Sequence, residues 1–303
     1  MQTSFYRRCG RSGILLPKLS LGMWHNFGAD ADYDKCRQIA RYAFDQGITH
    51  FDLANNYGPP PGSAEHTMAR LLADDFATHR DELFIATKAG YDMWQGPYGS
   101  WGSRKHLMAS IDQSLERMHL QYADLFYIHR YDPDTPLEET LQALVDIVRS
   151  GKALYIGISR WPLHALQTAW QYLTARDVTP LIYQGRLNLL DRAPQEEGIT
   201  DFCRTHGMGF IGFSPLAEGL LTNRYLNGIP ADSRIAKGGH LKKERLTPEL
   251  LALLHKLNDE ALAKGMPLAE MSLRWLLSQE GVTSAIVGAS SVEQLKTNLR
   301  ATV

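Results

Sequence analysis

The sequence predicts an α/β fold, a (β/α)₈ TIM barrel with an N-terminal β-hairpin, on three observations. Eight short apolar or β-branched runs alternate with helix-period segments, and most of these runs are continuously apolar. The length of 303 residues suits one large barrel. The runs are Leu19–Trp24, His50–Ala54, Leu83–Lys88, Ala123–His129, Tyr155–Ser159, Leu181–Leu187, Gly209–Leu216 and Thr283–Ala289. Strands apolar along their length belong to a parallel sheet covered by helices, and eight such units close a barrel.

Between them lie the amphipathic segments Tyr33–Gln46, Lys105–Met118, Leu137–Arg149, Leu163–Ala175 and Leu268–Leu277. Gly47 and Gly151 stand where a left-handed C-terminal residue is expected. Ser103 and Thr135 are the candidate N-caps, the second followed by Pro136 at the first helical position. Two segments interrupt the alternation. Gly10 and Gly13 flank Arg11 and Ser12 between partly apolar arms, so Phe5–Leu16 reads as a hairpin able to plug the barrel bottom. After the seventh strand, Ala217–Met266 is long and polar, with one helix-like run at Pro248–Leu262. Loops of this length, on the face where barrels carry their sites, are functional.

A hydrophobic content of 44% with 21% charged residues describes a chain with a large core, read as a single barrel domain over residues 1–303. Thirty-two Lys and Arg against 33 Asp and Glu leave a net charge of −1, which gives no overall pull toward nucleic acid or an anionic membrane. The three cysteines, Cys9, Cys36 and Cys203, lack disulfide or zinc spacing, so no metal is expected. No signal-like apolar stretch follows the N-terminus, and no run reaches the roughly 18 apolar residues of a membrane span. The expected location is the cytoplasm.

The ionisable residues fall where barrel enzymes place their chemistry. Asp52 and Tyr57 follow strand two, Lys88 ends strand three and His129 ends strand four, so all four converge on the C-terminal mouth. Any one of them alone reads as a turn or packing residue; four at successive strand ends read as a site. A buried Lys88 needs a carboxylate, and Asp52 on the adjacent strand is the nearest candidate. Tyr57 beside that ammonium is expected to have a lowered pKa, which suits a general acid near neutral pH.

These residues resemble the aldo-keto reductase family. FDLANNYG (Phe51–Gly58) is similar to its Asp-x₄-Tyr signature, TKAG (Thr87–Gly90) to its lysine segment and YIHR (Tyr127–Arg130) to its histidine segment. The likeness covers nearly the whole chain. It implies Tyr57 as acid, Asp52 and Lys88 as the pair that tunes it, and His129 as the group orienting a carbonyl. It also implies NADPH held across the barrel mouth without a GxGxxG loop, and none occurs in the sequence. Trp24, Asp52, Ser159, Arg160 and Gln184 match positions around the nicotinamide. Phe213 matches the aromatic stacked on that ring, and Ser214, Leu216, Gly219 and Leu220 match the diphosphate path. VGASSVEQLKTN (Val287–Asn298) resembles the segment gripping the adenosine 2′-phosphate through Gly288, Ser290, Gln294 and Asn298. A helix N-terminus there, with Ser290 or Ser291 as N-cap, is an anion site on physical grounds as well. Arg224 and Arg234 in the long loop are available to pair with phosphate.

The chain departs from the family pattern at Leu187, where Tyr often stands, and at Thr297, where an acidic residue is frequent. Relatives usually continue past the position of Val303 with a further helix and segment, so the barrel is expected either to be capped differently or to lack that element in this sequence. LSLGMWHNFG, NNYGPPPGSAE (Asn55–Glu65) and AGYDMWQGPYGSWGSRK (Ala89–Lys105) are most similar to bacterial L-glyceraldehyde 3-phosphate reductases, which also reduce methylglyoxal. GISRW (Gly157–Trp161) resembles the β subunits of voltage-gated potassium channels. Reduction of small aldehydes therefore competes with a redox-sensing regulatory role; a start almost directly at the hairpin favours the enzyme. Both subgroups imply a homo-oligomer, a tetramer or octamer. Trp24, Asn26, Tyr57, Trp94, Tyr98, Trp101, His129 and Arg130 are the expected substrate contacts, with Arg130 or Arg104 as candidates for a substrate phosphate.

Overall fold

A computed structural model describes residues 5–303 except 232, 234, 237, 239 and 240. Arg234, one of the two expected phosphate partners, lies outside the described residues.

The hairpin pairs β1 (Tyr6–Arg8) antiparallel with β2 (Leu15–Pro17), in the register Tyr6 to Pro17. Eight parallel strands then close a barrel: β3 (Leu19–Gly22), β4 (His50–Asp52), β5 (Phe84–Ala89), β6 (Ala123–Ile128), β7 (Ala153–Ser159), β8 (Ile182–Arg186), β9 (Gly209–Phe213) and β10 (Val282–Val287), with β10 returning to β3. The helices are α1 (Tyr33–Asp45), α2 (Ser63–Asp74), α3 (Arg104–Met118), α4 (Leu137–Arg149), α5 (Leu163–Thr174), α6 (Ala193–Glu196), α7 (Ile199–His206), α8 (Pro248–Ala263), α9 (Leu268–Ser278) and α10 (Val292–Leu299). Among the described residues no helix is long and apolar enough to cross a membrane.

The strand period of two divides the core. Outward residues such as Phe51, Ile85, Phe126, Ile158 and Phe210 pack with the helices in one large cluster. Inward residues such as Phe84, Ala86, Leu125, Tyr127, Ile182 and Ile211 form a second, which the hairpin residues Cys9 and Leu16 join from below. The hairpin does plug the barrel bottom: Cys9 is fully buried, and the Arg11 amide donates to Gly207 O just before β9. Gly157 is a glycine of necessity, because a Cβ there would meet the Tyr127 ring at 2.4 Å.

Several strands end earlier than the apolar runs suggest. β3 stops at Gly22, β4 at Asp52 and β9 at Phe213. The chain then leaves the sheet by sharp turns, with φ of 64° at His25 and 51° at Ser214. Ser103 caps α3 by accepting from the His106 amide, and Gly47 and Gly151 are left-handed as expected. Thr135 does not cap α4. That helix starts after Pro136, and the Thr135 hydroxyl donates instead to Asp132 Oδ2 at 2.6 Å, within a turn that Asp132 organises. Helix α2 carried no start signal, since its N-cap is Gly62 at φ 88° with no side-chain cap. Apolar burial of Ala64, Met68, Leu71 and Leu72 forms it.

Candidate active site

Period-two alternation raises the inner-face side chains in layers, and the top layer is polar. His50 and Asp52 share the inner face of β4, Ala86 and Lys88 that of β5, Ile182 and Gln184 that of β8, while His129 follows β6. Lys88 Nζ donates to Asp52 Oδ2 and to Leu53 O, both at 2.6 Å, and lies 3.4 Å from the Tyr57 hydroxyl. Gln184 Nε2 donates to the other Asp52 oxygen at 2.9 Å, so the carboxylate is held from two sides. Tyr57 sits one turn past β4, its amide donating to Ala54 O, with its ring 5.8 Å from that of His129 and 5.9 Å from that of Trp24. The four expected residues are thus brought together.

Their electrostatics differ from expectation in one respect. Burial lifts the Tyr57 hydroxyl well above the ordinary tyrosine pKa; Asp52 and Tyr91 push the same way and Arg160 opposes. The expected lowering fails because Lys88 commits its closest contacts to Asp52 and Leu53 O. Burial also lowers Lys88, against the pull of Asp52. Burial drives His129 well below the usual histidine range, with Lys88, Arg160 and Arg130 adding to it. The layer therefore presents a neutral phenol and a neutral imidazole above a bonded ammonium–carboxylate pair. His129 Nδ1 has no hydrogen-bond partner among the described residues.

Around the mouth, the expected substrate contacts divide. Arg130 is fixed: Nε donates to Gly90 O at 2.8 Å, and the guanidinium lies 3.5 Å over Trp101 and 4.4 Å over Tyr91. Trp24, Tyr98 and Trp101 are exposed. Trp94 packs on His106, and the amide of Asn26 is committed to Ala289 O, tying the turn after β3 to that after β10. Arg104 opens α3 and commits its guanidinium to Asp146. Tyr91 escaped the sequence reading. Its ring edge meets His129 at 4.7 Å and its hydroxyl accepts from Arg160 Nη1 at 2.7 Å. An aromatic three residues beyond Lys88 was its signal.

The sequence profile of the aldo/keto reductase family matches residues 18–303. The chain belongs to the aldo/keto reductase family. It is 55% identical over 301 residues to the L-glyceraldehyde 3-phosphate reductase of Escherichia coli O157:H7, across 98% of this chain and 87% of that protein. The protein of the same name in Escherichia coli strain K12 is 54% identical with the same coverage. A probable voltage-gated potassium channel subunit beta of Oryza sativa subsp. japonica is 34% identical over 302 residues, 98% of this chain and 90% of that one. Family and reductase relatives together make this aldo/keto reductase an oxidoreductase.

A dinucleotide is the cofactor such a reductase implies, and the described residues fit one. Phe213 ends β9 facing the barrel interior, packed against the inner cluster. The turn after it runs through left-handed φ at Ser214, Ala217, Glu218 and Gly219, of 51°, 47°, 61° and 101°. Three of these are not glycine, and such strain concentrates at ligand-holding turns. Leu216 precedes and Leu220 follows the short helical turn Ala217–Gly219. Ser159 Oγ donates to Gln184 O, and the Arg160 amide does the same from φ 59°. At α10, Ser291 rather than Ser290 is the N-cap; the Ser290 amide and hydroxyl both bond Gln294 Oε1, at 2.8 and 3.0 Å. Gly288 leads into this turn, and Asn298 is 2% exposed with an unpartnered Nδ2. That amide is a donor for which the described residues supply no acceptor. Arg224 lies in the short helix Asn223–Tyr225. Among the described residues no group of three or more His, Cys, Asp or Glu could hold a metal ion.

Proposed function

We propose that this chain reduces short aldehydes and ketones, L-glyceraldehyde 3-phosphate and methylglyoxal among them, with NADPH as reductant and Tyr57 as general acid. The observation that carries this reading is the Tyr57 hydroxyl, protonated by burial, 3.4 Å from the Lys88 ammonium and beside neutral His129. When bound, NADPH would supply the hydride for the carbonyl carbon. His129 orients the carbonyl oxygen, and Tyr57 gives that oxygen its proton as negative charge develops there. Lys88 then stabilises the phenolate that remains, which matters only after the proton has left. Asp52 keeps the ammonium in place, and Gln184 keeps Asp52 in place.

The 2′-phosphate choice rests on Ser290 and Gln294 at the start of α10 and on Asn298 in its last turn, with Arg224 and Arg234 proposed as phosphate partners. Trp24, Trp101 and Arg130 line the approach for the substrate. The assembly proposed is an even-numbered homo-oligomer in the cytoplasm. Oxidation of NADPH by the purified protein, followed with a panel of short aldehydes and phosphorylated trioses, tests the activity; absence of turnover with every one overturns it. The 34% identity to a channel subunit favours a second reading, nucleotide sensing, in which nucleotide binds tightly while turnover is negligible.

A further inference from the structure

Arg186 and Glu218 form an ion pair at the barrel mouth that the proposed reaction leaves unused. Arg186 ends β8 two residues beyond Gln184, and the strand period puts it on the same inner face, one layer nearer the opening. In register it stands beside Phe213 on β9. Its Nη2 donates to Glu218 Oε1 at 2.5 Å, while its Nε is buried without a partner among the described residues. Both side chains are largely shielded, at 30% and 16% exposure. Glu218 makes this contact from within the left-handed turn after β9, so the pair ties a strained backbone to the end of a rigid strand.

We propose that Glu218 is a stand-in for an anion: Arg186 is a ligand for the dinucleotide's diphosphate, and the glutamate carboxylate holds its guanidinium until nucleotide arrives. This rests on the reading that the Ser214–Leu220 backbone carries the diphosphate. Carboxylate and phosphate oxygens both suit the guanidinium fork, so one replaces the other with little movement of the arginine. A single glutamate oxygen leaves the fork half used, with Nε to spare. A diphosphate on this turn also brings negative charge toward Glu218, which disfavours keeping both at Arg186. Binding therefore exchanges one ion pair for another, and Glu218 sets affinity by competing.

A double-mutant cycle on the whole chain tests this, with NADPH and NADH affinities read by fluorescence titration of the wild type, E218Q, R186M and R186M/E218Q. E218Q is expected to bind both nucleotides about three- to tenfold more tightly, and at least about threefold of that gain is expected to vanish in the R186M background. The diphosphate is common to both nucleotides, so the factors are the same for each, which a change at the 2′-phosphate cannot produce. If R186M does not fold, R186K takes its place, keeping the charge while losing the fork. No gain from E218Q, or an equal gain in both backgrounds with wild-type binding intact, overturns the exchange and leaves the cofactor reading standing. Failure of the wild type to bind either nucleotide overturns both.

Discussion

The Lys88 ammonium and the Asp52 carboxylate meet at 2.6 Å inside the barrel, with side-chain exposures of 0% and 2%. Removing one partner strands the other without water. Asp52→Asn is therefore expected to destabilise the fold by about 3–5 kcal/mol, as one-sided loss of a buried pair does. Chemical denaturation of the variant beside the wild type checks this. A loss below about 1 kcal/mol would mean that Leu53 O and the Tyr57 hydroxyl hold the ammonium alone.

Tyr57→Phe separates chemistry from binding. It keeps the ring that packs beside Trp24 and His129 and removes the proton donor. Turnover of methylglyoxal is expected to fall by about 10²–10⁴ with the NADPH dissociation constant unchanged within a few-fold. Near-normal turnover in steady-state assays refutes Tyr57 as the acid and strengthens the sensing alternative.

The proposed discrimination between the two nicotinamide nucleotides rests on Ser290, just before α10, and Asn298, in its last turn. Asn298→Ala and Ser290→Ala are expected to weaken NADPH by about tenfold each, the scale of one charge-assisted hydrogen bond, while NADH changes little. Parallel losses for both nucleotides, measured by titration, would place the 2′-phosphate elsewhere.

Acid sensitivity follows from His50, fully buried below the polar layer of Asp52 and Lys88 with Nδ1 2.8 Å from Ser20 Oγ. Burial lowers its pKa from 6.5 to about 4, with Lys88 adding and Asp52 opposing. Below its unfolded value the unfolded chain binds a proton that the native chain refuses. Its stabilising contribution is thus complete above pH 6.5 and is lost as pH falls toward 4. The expected slope is about 1.4 kcal/mol per pH unit, and His50→Gln should remove it. Urea unfolding of both proteins at several pH values in that window measures the difference, and parallel profiles would count against it.

Sequence made the polar layer at the mouth legible because a parallel strand sets its inner side chains by parity. Lys88 and His129 end their apolar runs and Asp52 ends β4, where an inner-face polar residue faces the mouth. Tyr57's electrostatics were illegible, since its pKa depends on how Lys88 divides its charge among Asp52, Leu53 O and the phenol. Arg104 looked like a loop arginine until α3 was seen to begin with it. The Arg186–Glu218 contact was hidden for another reason. Of the left-handed residues in that turn only Gly219 is a glycine, so the bend at Ser214, Ala217 and Glu218 is not announced by residue type.

The barrel seam has a consequence for how the chain comes into being. β3 pairs with β10, and Ser20 Oγ meets Ser284 Oγ at 2.7 Å, so contacts that complete the cylinder join segments 264 positions apart. Lys18 reaches Thr302 O across the same seam. A nascent chain emerges N-terminus first, so one flank of β3 stays open until β10 has been synthesised. Throughout that interval the flank offers unpaired amides to any passing strand, and the danger of misassembly belongs to biosynthesis rather than to the finished enzyme.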